Sequence, residues 1–134
     1  MKITFIDSGV LIAAARGAGE VARRAMEVLD DPDRAFASSA FIRLEVLPKA
    51  LYYKNHNEAE FYEAFFAEVS HWAEPIERVT ADGYSEAVKV GLSAIDALHV
   101  AAAAAVGADE LVTTERHGKP IHRATSVSVR TIHP

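Results

Sequence analysis

Lys2-Ile3-Thr4-Phe5-Ile6-Asp7-Ser8-Gly9-Val10-Leu11-Ile12 is the stretch from which the rest of the chain is read. Lys2 to Ile6 carries β-branched and aromatic residues and reads as a short strand. Asp7-Ser8-Gly9 breaks it, and the apolar run from Val10 to Ala15 begins a helix. The chain therefore opens on a strand that passes directly into a helix, and the same alternation recurs downstream.

Beyond Gly17 and Gly19, Val21, Ala25, Val28 and Leu29 share one helical face, and the Asp-Asp-Pro-Asp run at 30–33 ends that helix. A second strand is predicted over Ala35 to Ala37. Ser38 and Ser39 offer caps for a helix through Leu47, and Pro48 opens a further turn or helix toward Tyr53. Asn57 is the predicted cap of the next helix. From Glu58 to Trp72 the positions Phe61, Phe65, Phe66, Val69 and Trp72 recur at helical spacing and are assigned to the core. Ile76 to Val79 is predicted as a strand, followed by a helix capped by Thr80 or Asp82 and running to Val90. Ser93 begins an alanine-rich helix that ends near Gly107. Glu110 to Thr113 and Val127 to Ile132 supply the last strands. Strands alternating with helices imply parallel pairing and a sheet covered on both faces.

At 134 residues the chain fits one domain, residues 1–134. Half of its residues are hydrophobic and 25% are charged, which excludes a disordered or fibrous class. No stretch is long and apolar enough to cross a bilayer, and the first residues lack the uncharged apolar run of a secretory signal. There is no cysteine, so disulfide and thiolate chemistry are excluded; the expected location is the cytoplasm. The net charge of −5 argues against a polyanionic partner, but it hides an asymmetry. All 19 acidic residues lie at or before Glu115, whereas Arg116, Lys119, Arg123 and Arg130 follow it, so a phosphate chain has a basic tail on which to dock.

Four acids stand where chemistry is expected. In parallel α/β sheets, sites form in the crevice beyond the carboxyl ends of the strands. Asp7 follows the first strand directly, and Glu115 follows the Glu110 to Thr113 strand after one residue. Asp7 reads equally as a helix cap. Glu45 lies within Phe41-Ile42-Arg43-Leu44-Glu45-Val46-Leu47 and shares a helical face with Phe41 and Ile42. A carboxylate there needs a cation, hydrogen bonds or a route to solvent at the edge of the stripe. Ser93-Ala94-Ile95-Asp96 fits a capping box, while the apolar helix that follows places Asp96 at the mouth of a buried element. His99, one turn on, either orients Asp96 or the metal shell or is a satisfied core group. If the acids converge, each close pair repels by about 4 kcal/mol at an effective dielectric near 20, and a hard divalent cation removes that penalty. Oxygen donors without cysteine or His-rich spacing favour Mg²⁺ or Mn²⁺ over zinc.

Phe5-Ile6-Asp7-Ser8-Gly9-Val10-Leu11-Ile12 resembles the opening motif of PIN domains, with an Asp closing the first strand. Three further stretches resemble that family in order: Ser38-Ser39-Ala40-Phe41-Ile42-Arg43-Leu44-Glu45-Val46 its second-acid helix, Ser93 to Ala103 its third-acid helix, and Leu111-Val112-Thr113-Thr114-Glu115 its fourth motif. The resemblance, closest to VapC-like toxins, implies a three-layer α/β/α fold and Mg²⁺- or Mn²⁺-dependent cleavage of RNA. It also implies a homodimer and inhibition by a cognate antitoxin protein. It assigns Asp7, Glu45 and Asp96 to the metal triad, with Ser8 and Thr113 as supporting hydroxyls. Two positions depart from the pattern. Gly9 stands where a small polar residue is frequent, and Glu115 stands where the family usually has Asp or Asn.

The first functional expectation is thus an endoribonuclease in which Arg116, Lys119 or Arg123 steadies the substrate phosphates. An alternative keeps the fold but makes it a binding module for RNA or a partner. A phosphoaspartyl enzyme fails locally, because its second Asp would fall at Gly9.

Overall fold

A computed structural model describes all residues, 1–134. Five strands form one sheet in the order β3-β2-β1-β4-β5, where β1 is Lys2–Ile6, β2 Arg34–Ser38, β3 His71–Trp72, β4 Glu110–Thr113 and β5 Val129–Thr131. Every pairing is parallel. The helices are α1 (Ser8–Arg16), α2 (Gly19–Leu29), α3 (Ala40–Tyr52), α4 (His56–Glu68), α5 (Ile76–Val90) and α6 (Ala94–Ala105).

Successive strand residues point to opposite faces. Phe5 and Ile6, and likewise Leu111 and Val112, are all fully buried, so helices cover both faces and the architecture is three-layered, α/β/α. On one side α1 packs against α2, α3 and α4, and α6 packs against α5 and along β2 and β4. α3 touches both α1 and α6, which closes the carboxyl edge of the sheet. From β1 the chain moves outward through β2 and β3, then returns to the other flank of β1 as β4. The topological switch point lies between β1 and β4.

Three elements differ from the sequence expectation. Ile76 to Val79 is the first turn of α5, not a strand. The buried face of that helix is Val79, Gly83 and Glu86, a helical spacing written partly in residues that a hydrophobic count omits. The Glu58 to Trp72 run divides, because α4 ends at Glu68 and His71–Trp72 becomes the edge strand beside β2, with Trp72 still packed on Phe66 at 5.9 Å. Pro48 does not open a new helix but lies inside α3. The carbonyl it leaves without a donor belongs to Leu44, which is 69% exposed, so water can take its place. The cap of α4 falls at Asn55 rather than Asn57.

Candidate metal centre

Asp7 occupies the switch point. Its backbone N–H continues the sheet by donating to the Val112 carbonyl at 3.0 Å, and its side chain, 7% exposed, turns into the crevice as the N-cap of α1. The capping role of Asp7 uses one of its two oxygens. Oδ1 accepts from the Ser8 N–H at 2.8 Å, and Oδ2 accepts from the Thr113 hydroxyl at 2.7 Å. The same Thr113 hydroxyl accepts from the Glu115 N–H at 3.1 Å, so one buried side chain at the end of β4 fixes both the first acid and the backbone of the fourth.

α3 delivers Glu45. Ser39 caps this helix by accepting from the N–H groups of Phe41 and Ile42, and Ile42, Val46 and Leu47 anchor its inner face. Glu45 therefore rises at the edge of the core, partly buried, where the His99 ring meets it: Nε2 lies 2.6 Å from Oε1. Burial raises the Glu45 pKa, but the His99 hydrogen bond and charge, with the Ser8 hydroxyl, outweigh it and hold the carboxyl below its ordinary range.

α6 delivers Asp96 and His99. Ser93 accepts from the Asp96 N–H at 3.4 Å, which realises the cap read from the sequence. The Asp96 carboxyl remains partly buried and free to face the crevice. Its pKa is raised, first by burial and then by the negative charges of Asp7 and Glu115, against the opposing influence of His99. Donor atoms of Asp7, Glu45 and His99 come within 4.8 Å of one another. Asp96 and Glu115 lie outside that trio, with Asp96 near enough to Asp7 and Glu115 for their charges to raise its pKa.

The donor set fits a hard divalent cation. The negative charges of Asp7 and Glu115 act on the partly buried Asp96 and raise its pKa, a repulsion that such an ion relieves. His99 is the one nitrogen in the group, and its Nδ1 is buried without a partner. Nε2 is the ring atom engaged with Glu45, at 2.6 Å from Oε1. His99 thus braces the Glu45 carboxylate and stands with Asp7 and Glu45 among the three groups placed to hold a cation. The sequence placed His99 beside Asp96 but did not reveal its bond to Glu45, 54 residues away, because that depends on how α3 crosses α6.

Gly9, a departure from the family pattern, has a local cause. A Cβ built there would meet the Thr114 hydroxyl oxygen at 2.3 Å, so glycine lets the first turn of α1 approach the end of β4. The basic tail is divided by the fold. Arg116 and Lys119 are exposed in the loop after β4. Arg123 donates to the Gly91 carbonyl at 3.4 Å, and Arg130 turns to Glu110 at 3.5 Å. His122 lies 2.9 Å from the Glu115 carbonyl and pins that loop.

A doubly wound parallel sheet with Asp7, Glu45 and His99 clustered at its carboxyl edge defines an α/β protein with a candidate metal site there. Sequence comparison gives the family: the model described as PIN domain matches residues 4–119, and the chain belongs to the PIN-domain family. No curated protein matches significantly. Among solved structures, the chain resembles VapBC2 from Rickettsia felis bound to a DNA fragment from their promoter, at TM-score 0.72 and 13% identity over 96% of this chain and 98% of that one. It is also similar to a toxin-antitoxin complex from Klebsiella pneumoniae (TM-score 0.64, 22% identity, 84% and 86% covered). A third likeness is VapBC-1 from nontypeable Haemophilus influenzae (0.65, 17%, 96% and 97%). At these identities the likeness is one of fold.

Proposed function

We propose that this protein is a Mg²⁺- or Mn²⁺-dependent endoribonuclease, the toxin of a toxin-antitoxin pair. The observation that carries the reading is the cluster of Asp7, Glu45 and His99 at the carboxyl edge of the sheet, from elements far apart in sequence, with Asp96 under the charges of Asp7 and Glu115. Family membership supports nuclease chemistry. The VapBC likeness supports an antitoxin partner, and the exposed apolar side chains of Leu44, Pro48 and Leu51 on α3 support a homodimer.

Asp7, Glu45 and Asp96 are the metal ligands in this reading, and Glu115 is a fourth acid that reaches the ion through water. When bound, the ion lowers the pKa of a water and neutralises charge on the leaving oxygen of a phosphodiester. The chain's own contribution is preorganisation. Thr113 and the Ser8 N–H fix both oxygens of Asp7 before any ligand arrives. His99 and Ser8 keep Glu45 ionised, so no proton must leave it on binding. Arg116, Lys119 and Arg123 steady the RNA phosphates.

The test is direct. Purified protein should cut single-stranded RNA with Mg²⁺ or Mn²⁺, and Asp7→Asn should lose at least about a hundredfold of that rate, a loss of the size seen when charge stabilisation of a transition state is removed. Equal cleavage in chelator, or by the variant, rejects the metal mechanism. Metal-independent RNA binding with no cleavage of any RNA would instead indicate a binding module.

A further inference from the structure

One cavity opens beside Glu45, and a second adjoins it. The first, about 210 Å³, is lined by Glu45 itself with Lys49, Tyr53, Arg16 and Asn55. The second, about 520 Å³, shares Arg16 and Asn55 with it and continues to Lys54. Together they form one groove that starts at the acidic centre and runs between the carboxyl ends of α1 and α3 and the start of α4.

Its wall has a regular composition. Glu45, Lys49 and Tyr53 are four residues apart along α3, so they lie in a row with a rise of about 6 Å per step, close to the spacing of successive phosphates in an extended strand. Lys49 is exposed and takes part in none of the ion pairs of the fold. Tyr53 is 64% exposed, and its ring is braced edge-on by Tyr52 at 5.0 Å. Across from them stands Arg16. The one other acid of the groove, Glu58, is already engaged: it accepts from the Tyr62 hydroxyl at 2.5 Å and lies 3.8 Å from Arg16. Lys49 and Lys54 therefore face the groove without an ion-pair partner, and Arg16 stands beside them paired with Glu58.

We propose that this groove is the track for single-stranded RNA on one side of the scissile phosphate. Lys49 takes the phosphate next to the acidic centre, Tyr53 stacks on the adjoining base, and Arg16 and Lys54 take the phosphates beyond. A cationic wall with an aromatic platform is how single strands are held without reading their sequence. The assignment rests on the nuclease reading for the position of the scissile phosphate, but it uses residues distinct from the basic tail. An acidic segment of a protein partner would use the same cations without needing the face of Tyr53.

Binding of a fluorescein-labelled single-stranded RNA of about ten nucleotides, within the usual site-size range, is measured by anisotropy in EDTA across a salt series. Tyr53→Ala should weaken binding between about 5- and 100-fold, the effect of losing one stacked base. Lys49→Ala should reduce the slope of log affinity against log salt by about 0.7, the share of one phosphate on a single strand, and Lys49→Arg should restore it. Both residues are exposed, and unchanged thermal melting of each variant secures the comparison. If the wild type binds and cleaves RNA while both variants bind and cleave as it does, the track is overturned and the nuclease reading stands. If the wild type cuts nothing with any metal yet both variants lose RNA affinity, the nuclease reading fails and the track stands. If Tyr53→Ala leaves RNA affinity unchanged and poly-glutamate binds as tightly as RNA, the groove serves an acidic protein segment and the proposal is overturned.

Discussion

Asp96 is the residue at which the conflict of the crevice is concentrated. Its carboxyl is raised by burial and by the charges of Asp7 and Glu115, so ionising it costs more in the folded protein than in the unfolded chain. A raised folded pKa gives stability that is present below the unfolded value, near 3.9, and lost as pH rises through the folded one. In metal-free buffer at neutral pH, Asp96→Asn should therefore stabilise the protein, by about 1 kcal/mol or roughly 3 to 6 °C in Tm. The gain should shrink as pH falls toward 4. Glu45 has the opposite sign. Its folded pKa lies below the ordinary range, so its contribution is present above the unfolded value and lost in acid. Melting curves of both single variants from pH 3.5 to 7.5 in EDTA check the pair, and a destabilising Asp96→Asn at neutral pH would mean that its carboxylate is not under repulsion.

α5 and α6 are the elements that hold Asp96 and His99 in place, and their closeness rests on Gly83. A Cβ there would stand 2.9 Å from Leu98 Cδ2 and 3.5 Å from Leu98 Cα, so the backbone of α5 lies nearly on α6. Gly83→Leu should force the helices apart, cost about 2 to 3 kcal/mol, and lower metal affinity by displacing Asp96 as well as lowering Tm. Calorimetric Mn²⁺ titration beside thermal melting separates the two effects, and a variant that binds and melts like the wild type would show that the contact is slack. The same helix marks the limit of sequence reading. β1, β2, β4 and α6 were legible from their composition, short apolar or β-branched runs and an alanine-rich stretch bounded by breakers, and four ordered acid motifs pointed to the crevice. The start of α5 was not, since its inner face runs through a glycine and a glutamate. β3 was hidden because a two-residue edge strand is too short to show a period of its own inside an apolar run. The His99–Glu45 contact and the division of the basic tail depend on how distant elements pack, which no local pattern records.

Across the whole molecule the two ends of the sheet solve opposite electrostatic problems. At the amino end, Glu110 is surrounded by Arg34 at 2.7 Å, Arg130 at 3.5 Å and Lys2 at 3.7 Å, while Arg34, 8% exposed, also donates to Thr4 at 2.7 Å. Burial raises the Glu110 pKa, but Arg34, with Lys2 and Arg130, outweighs it and keeps the group ionised. That end carries its own counter-charges, whereas the carboxyl end gathers acids that lack them. Arg34→Met, which strands Glu110, should cost about 3 kcal/mol without touching the crevice, since Glu110, opposite Thr4, lies three residues or about 10 Å along the strands from Asp7. Saturating Mg²⁺ or Mn²⁺ should stabilise the wild type by about 2.7 kcal/mol at a hundred times Kd. Sites this far apart add, so Arg34→Met should gain the same increment. Asp7→Asn should gain far less, because it removes the most buried acid of the centre. Differential scanning fluorimetry of the three proteins with and without metal reads all of these shifts at once. A wild-type Tm that ignores both ions would mean that the crevice tolerates its charge without a cation, and the proposed chemistry would have no ion on which to act.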